Sequence, residues 1–185
     1  MSELDHYRTL AEPAELRHKI ERSEFLGIAF PVTSEEAFFV ELERVQKRWF
    51  DATHHCWAFR LFIDSRSRSA DAGEPSGTAG KPILAAIEGA ALHDLGVIVV
   101  RWYGGIKLGT GGLSRAYRET AAETLRVAKL LDRYVYERVG VIVVERNIHT
   151  QRASKRACGG NGRPLTAMIG PERSKTIGSP TSPRS

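Results

Sequence analysis

Arg101-Trp102-Tyr103-Gly104-Gly105-Ile106-Lys107-Leu108-Gly109-Thr110-Gly111-Gly112-Leu113-Ser114-Arg115 decides the reading of this chain. The run from Leu95 to Tyr103 is nearly all apolar, the pattern of a strand that is central in a sheet or covered on both faces. It passes into a glycine-dense, basic loop, and Ala and Leu then recur at packing intervals from about Leu113 to Leu131, which predicts a helix. Such a strand-loop-helix junction presents backbone N–H groups to an anion. Between Leu95 and Arg118 the chain carries Arg101, Lys107, Arg115 and Arg118 and no Asp or Glu, so side chains reinforce the positive end of the helix.

Working outward, residues 7–10 and 16–32 read as a strand or two, with Leu16, His18 and Ile20 alternating with charged residues before Phe25, Ile28 and Phe30. Thr33-Ser34-Glu35-Glu36 has capping-box spacing, and Phe38, Leu42, Val45 and Trp49 follow at helical intervals, predicting a helix that ends near Phe50. From His54 to Ile63 the pattern alternates. His55, Trp57, Phe59, Leu61 and Ile63 form the core face, while His54, Cys56, Ala58, Arg60 and Phe62 face a cleft or solvent. Residues 64–79 read as a long polar connection, functional or mobile, in which Arg66 and Arg68 extend a basic patch. Helix resumes near Lys81-Pro82, where proline suits a first turn. A last strand is expected from Tyr134 to Val144, and residues 147–185, which lack aromatics, are expected to be disordered.

The 185 residues allow one ordinary domain with a smaller appendage. The net charge of +5 is uneven: from Arg146 onward eight basic residues face Glu172 alone, which leaves residues 1–145 at −2. Affinity of the folded part for nucleic acid must therefore come from a local patch. No apolar run approaches the roughly 20 residues of a membrane span, and the N-terminus lacks a basic-then-hydrophobic signal, so a cytoplasmic protein is expected. Cys56 and Cys158 are far apart, and reduced thiols are the expectation.

The known glycine fingerprints fail. A dinucleotide motif over residues 109–114 has Ser114 where its third glycine belongs and no acid on a later strand end. Gly77-Thr78-Ala79-Gly80-Lys81-Pro82 resembles a phosphate-binding P-loop, but Pro75 and Pro82 stand where a glycine and a metal-holding hydroxyl are needed. The glycines either bind an anion or simply make tight turns and close contacts. His54 and Cys56 share a strand face, yet a third zinc ligand is missing and strand geometry holds them too far apart for a nucleophile and its base, so Cys56 reads as buried and structural. Asp71 and Glu74 are either magnesium or acid-base carboxylates or solvated loop acids. Trp102 and Tyr103 either stack bases or pack.

Residues 52–58 (ATHHCWA), 73–84 (GEPSGTAGKPIL) and 101–117 together closely resemble the IMPACT/YigZ family, with the Ser23 and Phe25 region ahead of them, over about Tyr7 to Leu131. The resemblance implies an α/β (α+β two-layer) domain like the second domain of ribosomal protein S five, its sheet backed by two helices on one side, an architecture shared with the GHMP kinases. It also implies a following ferredoxin-like domain similar to one in translation elongation factor G. Eukaryotic relatives carry an RWD domain and regulate translation under stress. Residues 1–131 are then the family's N-terminal domain and 132–145 the partial start of the ferredoxin-like one. Residues 146–185 are expected to be a disordered basic tail, on the hypothesis of a truncated or frame-shifted end. Ala72 departs from the family pattern, which has Asp there, and this weakens a site that needs paired acids.

The expectation is a non-enzymatic, translation-associated binding protein, without cofactor or metal, whose partner is RNA or a ribosome-associated factor. Lys107, Gly109, Gly111, Gly112 and Arg115 contact phosphate, and His54, Arg60 and Arg101 line the adjacent face. The motif loop contributes Asp71, Glu74, Ser76, Thr78 and Lys81 without an assigned role. The rivals are a phosphotransferase or hydrolase acting on a phosphorylated small molecule, and a protein-interaction module.

Overall fold

The structure is a computed structural model that describes residues 6–63 and 65–135, all within one unit spanning residues 1–139. The expectations for residues 136–185, including the rest of the last strand, the ferredoxin-like start, the tail and Cys158, lie outside the described residues.

Alternation in the N-terminal third resolves into three strands, β1 (His6–Leu10), β2 (Ala14–Ile20) and β3 (Ser23–Pro31). A two-residue turn at Glu21 and Arg22 joins β2 to β3, with Glu21 in the left-handed region at φ 52°. Helix α1 (Glu35–Arg48) starts one residue later than the capping-box spacing suggested, because the Ser34 hydroxyl, not that of Thr33, accepts the Ala37 N–H at 3.2 Å. Strand β4 (His54–Arg60) follows, then β5 (Ser67–Ala70), α2 (Gly80–Gly89), β6 (Leu95–Trp102), α3 (Gly109–Val127) and β7 (Leu130–Tyr134).

The main sheet has the order β2-β3-β6-β4-β5 with antiparallel neighbours, so β6 is central as its apolar run predicted. On one face Phe25, Ala29, Cys56, Ala58, Val97 and Val99 pack beneath α2 and α3, the two-helix arrangement that the resemblance implied. The other face carries Leu26, Ile28, Trp57, Phe59, Ile98 and Val100, and there α1 adds cover through Phe38, Leu42 and Val45. Phe38 is fully buried and its ring meets Phe30, Trp57 and Phe59. Burying one such ring stabilises the fold by about 1.5–3 kcal/mol. Gly96 admits this ring, because a Cβ there would lie 2.4 Å from it.

Four expectations change. The face of β4 expected to meet a cleft or solvent is core at Cys56 and Ala58, while Ile63, expected in the core, is 90% exposed because β4 has already ended. The connection over residues 64–79 contains an edge strand, β5, whose Arg68 pairs with Glu35, as does Arg66 at 3.3 Å; the two arginines are thus tied to α1. Helix α3 begins at Gly109, taking the glycines into its first turn, and stops at Val127. Leu130 and Leu131 belong to β7, which reaches Tyr134 and pairs antiparallel with β1 in a separate two-stranded sheet.

Candidate functional site

Sheet register assembles the site. Phe25, Arg101 and His54 lie opposite one another on β3, β6 and β4, on the face that carries α2 and α3. Arg101 is 4% exposed, far too buried for a charge left unpaired. Its guanidinium donates to Glu74 Oε1 at 2.5 Å and to Ser23 Oγ at 3.2 Å, and it lies between the rings of Phe25 and Tyr103, 5.4 Å from each. Its Nε, also buried, has no partner. Glu74 Oε1 further accepts the Tyr117 hydroxyl of α3 at 2.8 Å, and His54 Nε2 stands 3.8 Å away. Burial, then the neighbouring Cys56 and Glu74, push the Tyr117 phenol up, so it stays protonated and donates. Glu74 is thus no solvated loop acid but the hub of a buried network.

Asp71 is equally committed. Its Oδ1 accepts the N–H groups of Ala79 and Gly80 at 2.9 and 2.8 Å, and its Oδ2 accepts that of Gly77 at 2.8 Å. Burial alone would raise its pKa, but these three bonds and the charge of Lys81 outweigh burial and hold the carboxyl below the usual aspartate range. The P-loop-like stretch does cradle an anion, and the anion belongs to the protein. The Thr78 hydroxyl donates to Pro75 O at 2.7 Å and is buried, whereas Ser76 and Lys81 are exposed. Ala72, at φ 44°, accepts the His54 Nδ1–H on its carbonyl at 3.1 Å.

The N-terminus of α3 differs from that of α2. Leu108 occupies its N-cap, no side chain caps it, and the first turn contains no acid. Gly109 has a conformational reason to be glycine, at φ +70°. Gly112 sits 3.1 Å from Leu108 through a notional Cβ. Gly111 has neither reason: its φ is ordinary, and a Cβ there would meet nothing within 4 Å.

A cleft of about 440 Å³ opens between this helix end and the buried network, bordered by His54, Glu74, Arg101, Tyr103, Lys107 and Thr110 among others. Arg115 is not among them, because helical spacing turns Gly112, Arg115 and Glu119 towards a separate hollow shared with Glu21. Arg60 is also elsewhere, at the far end of β4, six residues or about 20 Å from His54. The structure therefore brings His54, Arg101, Lys107 and Gly109 together at the cleft, and leaves Gly111, Gly112, Arg60 and Arg115 outside its lining. Sequence reasoning missed Thr53, Thr110, Ser23 and Tyr117 as parts of the site. The last two stand in or beside the family-like motifs, but only the fold joins them to Glu74. Trp102 and Tyr103 divide: Trp102 packs edge-on to Trp49 and donates to Asp51 at 2.9 Å, while Tyr103 stays 45% exposed at the cleft.

Cys56 is buried and donates its S–H to Asp71 O at 2.9 Å. Burial, more than the neighbouring Glu74 and Asp71, pushes the thiol up to about 12, which removes it as a nucleophile near neutral pH. His55, half-buried, donates to or accepts from nothing in the cleft; its Nε2 lies 3.0 Å from Trp49 O, and burial pushes its pKa down. Among the described residues no group of three or more His, Cys, Asp or Glu is placed to hold a metal ion, and no helix is long and apolar enough to cross a membrane.

The sequence profile of the Impact N-terminal domain matches residues 21–125, the segment that builds this cleft. The chain belongs to the IMPACT/YigZ family. It is 37% identical over 131 residues to the IMPACT family member YvyE of Bacillus subtilis, covering 70% of this chain and 60% of that protein. With the IMPACT family member YigZ of Escherichia coli it shares 40% identity over 119 residues, 63% of this chain and 58% of that one. It thus spans about 60% of the length of these relatives. A solved structure described as a hypothetical protein superposes with a TM-score of 0.68 at 34% identity, over 70% of this chain and 65% of its own.

Proposed function

We propose that this IMPACT family chain is a regulatory binding protein associated with translation, which holds an RNA phosphate at the N-terminus of α3. Family membership supports the translational setting through the resemblance described above. Gly111 carries the phosphate assignment. A glycine inside a helix costs about 0.5–1 kcal/mol relative to alanine, and here neither backbone conformation nor packing repays that cost. Close approach of a ligand to the free N–H groups of the first turn repays it. Gly111 stands one residue beyond Thr110 in that turn, and the cleft itself is lined by Lys107, which adds a charge, with Gly109 and Thr110.

The phosphotransferase or hydrolase reading loses its carboxylates, because Asp71 is spent on three backbone N–H groups and Glu74 on Arg101 and Tyr117. Filter binding of RNA by the full chain across salt concentrations tests the binding reading. Gly111→Ala is expected to keep or raise the melting temperature and to weaken RNA binding. Lys107→Ala is expected to weaken binding and reduce the salt slope by about 1. Arg115→Ala, in the other hollow, is expected to do less than Lys107→Ala. Unchanged affinity in both Gly111→Ala and Lys107→Ala refutes the site.

A further inference from the structure

We infer that the cleft takes a single ribonucleotide unit with a free 2′,3′-diol, an inference that rests on the phosphate reading of α3. Size is the first argument, since about 440 Å³ suits one nucleotide unit. The second is the pattern of donors and acceptors. The N-terminus of α3 and Lys107 offer donors and positive charge on one wall, where a phosphate fits. Across the cleft stand acceptors. Donation of the His54 Nδ1–H to Ala72 O selects the tautomer whose Nε2 accepts, and that nitrogen stands 3.8 Å from Glu74 Oε1. Both hydrogen bonds to that carboxylate land on Oε1, so Oε2 keeps its capacity.

Two neighbouring acceptors without a donor between them repel, and a pair of adjacent hydroxyls relieves both. The Arg101 guanidinium, bonded to Glu74 at 2.5 Å, sets a positive charge beside that carboxyl, and its buried, unpartnered Nε leaves one donor of the network unmatched. Tyr103 supplies the third element. It lies over Arg101 and remains 45% exposed at the cleft, which provides a flat surface for a base. The same chemistry is found at the 3′ end of an RNA strand and in a free 5′-ribonucleotide.

Fluorescence anisotropy with the full chain and short 5′-labelled RNAs tests this. Strands differ only in their last residue, which carries a 2′,3′-diol, a 3′-phosphate or a 2′,3′-dideoxyribose. The diol end is expected to bind about tenfold more tightly than the other two. His54→Ala is expected to erase that preference, Tyr103→Leu to weaken the diol strand and Tyr103→Phe to preserve it. Lys107→Ala weakens all three strands alike. Displacement by 5′-AMP at concentrations that match the strand's own affinity assigns the site to free nucleotides, and resistance to it assigns the site to RNA ends. Equal binding of all three ends with Lys107 dependence intact overturns the diol inference and leaves the phosphate reading standing. Binding that ignores Lys107 and end chemistry together overturns both. Should His54→Ala fail to fold, the comparison of the three strand ends on the unaltered chain still decides.

Discussion

Asp71 shows how one side chain can close a site that its surroundings advertise. The stretch from Gly77 to Lys81 offers three converging N–H groups at the start of α2, and an intramolecular carboxylate occupies them with no loss of translational entropy. Replacing it by alanine is expected to cost about 1–2 kcal/mol, measured by urea unfolding. The pH dependence has a definite sign. Because the native carboxyl titrates below its usual value of 3.8, its contribution is complete above that value and is lost as pH falls through the depressed native one. Wild-type stability should therefore fall below about pH 4, and Asp71→Asn should show a shallower fall over the same acid range. At this scale residue types were legible before any fold: Glu74, Arg101, His54 and Lys107 stood out as chemistry-bearing. Their partners were not, because Arg101 and Glu74 lie 27 residues apart and meet only through the sheet and the loop before α2.

Among the elements, the helices and the central strand followed from periodicity, since a buried stripe repeats every three or four residues and a doubly covered strand has no polar face. What escaped was the short and the marginal. Strand β5 has three polar residues and one alanine, no apolar pattern, and exists because β4 offers it an edge. The glycines of residues 109–112 read as loop by propensity, yet tertiary packing of Leu113, Ala116 and Tyr117 extends α3 through them. Close approach of α3 to β3 depends on Gly27, where a Cβ would lie 2.1 Å from Thr124 Oγ1. Gly27→Ala is expected to destabilise by about 1–3 kcal/mol in chemical denaturation. Adding Thr124→Ala should recover part of that loss, because the hydroxyl is the nearest atom in the way. Strict additivity of the two changes would contradict the contact.

For the whole molecule, two cores share one sheet, and the buried thiol reports on their joint integrity. Cys56 sits in the core beneath α2 and α3 with its pKa pushed up to about 12, so it is expected to react with a thiol reagent only when the fold opens. In a Cys158→Ala background, the labelling rate should rise with denaturant in parallel with unfolding. Rapid labelling of the native protein would contradict this burial. Charge also acts at this scale. The imbalance from Arg146 onward belongs to residues outside those described, while the cleft derives its polarity from one helix end and Lys107 beside a neutralised Arg101–Glu74 pair.

By itself the sequence determined the three helices and the longer strands, though not β5 or β7, together with the central place of residues 95–102, the family, and the presence of an acid-free basic stretch at a helix start. Each is a property of neighbours along the chain, where periodicity and composition act directly. Only the tertiary structure decided which anion cradle is filled, that Arg60 and Arg115 point away from the cleft, and that His54, Glu74, Arg101 and Tyr117 form one network. Those facts depend on strand register and on contacts between residues dozens of positions apart, and such contacts leave no local pattern to read.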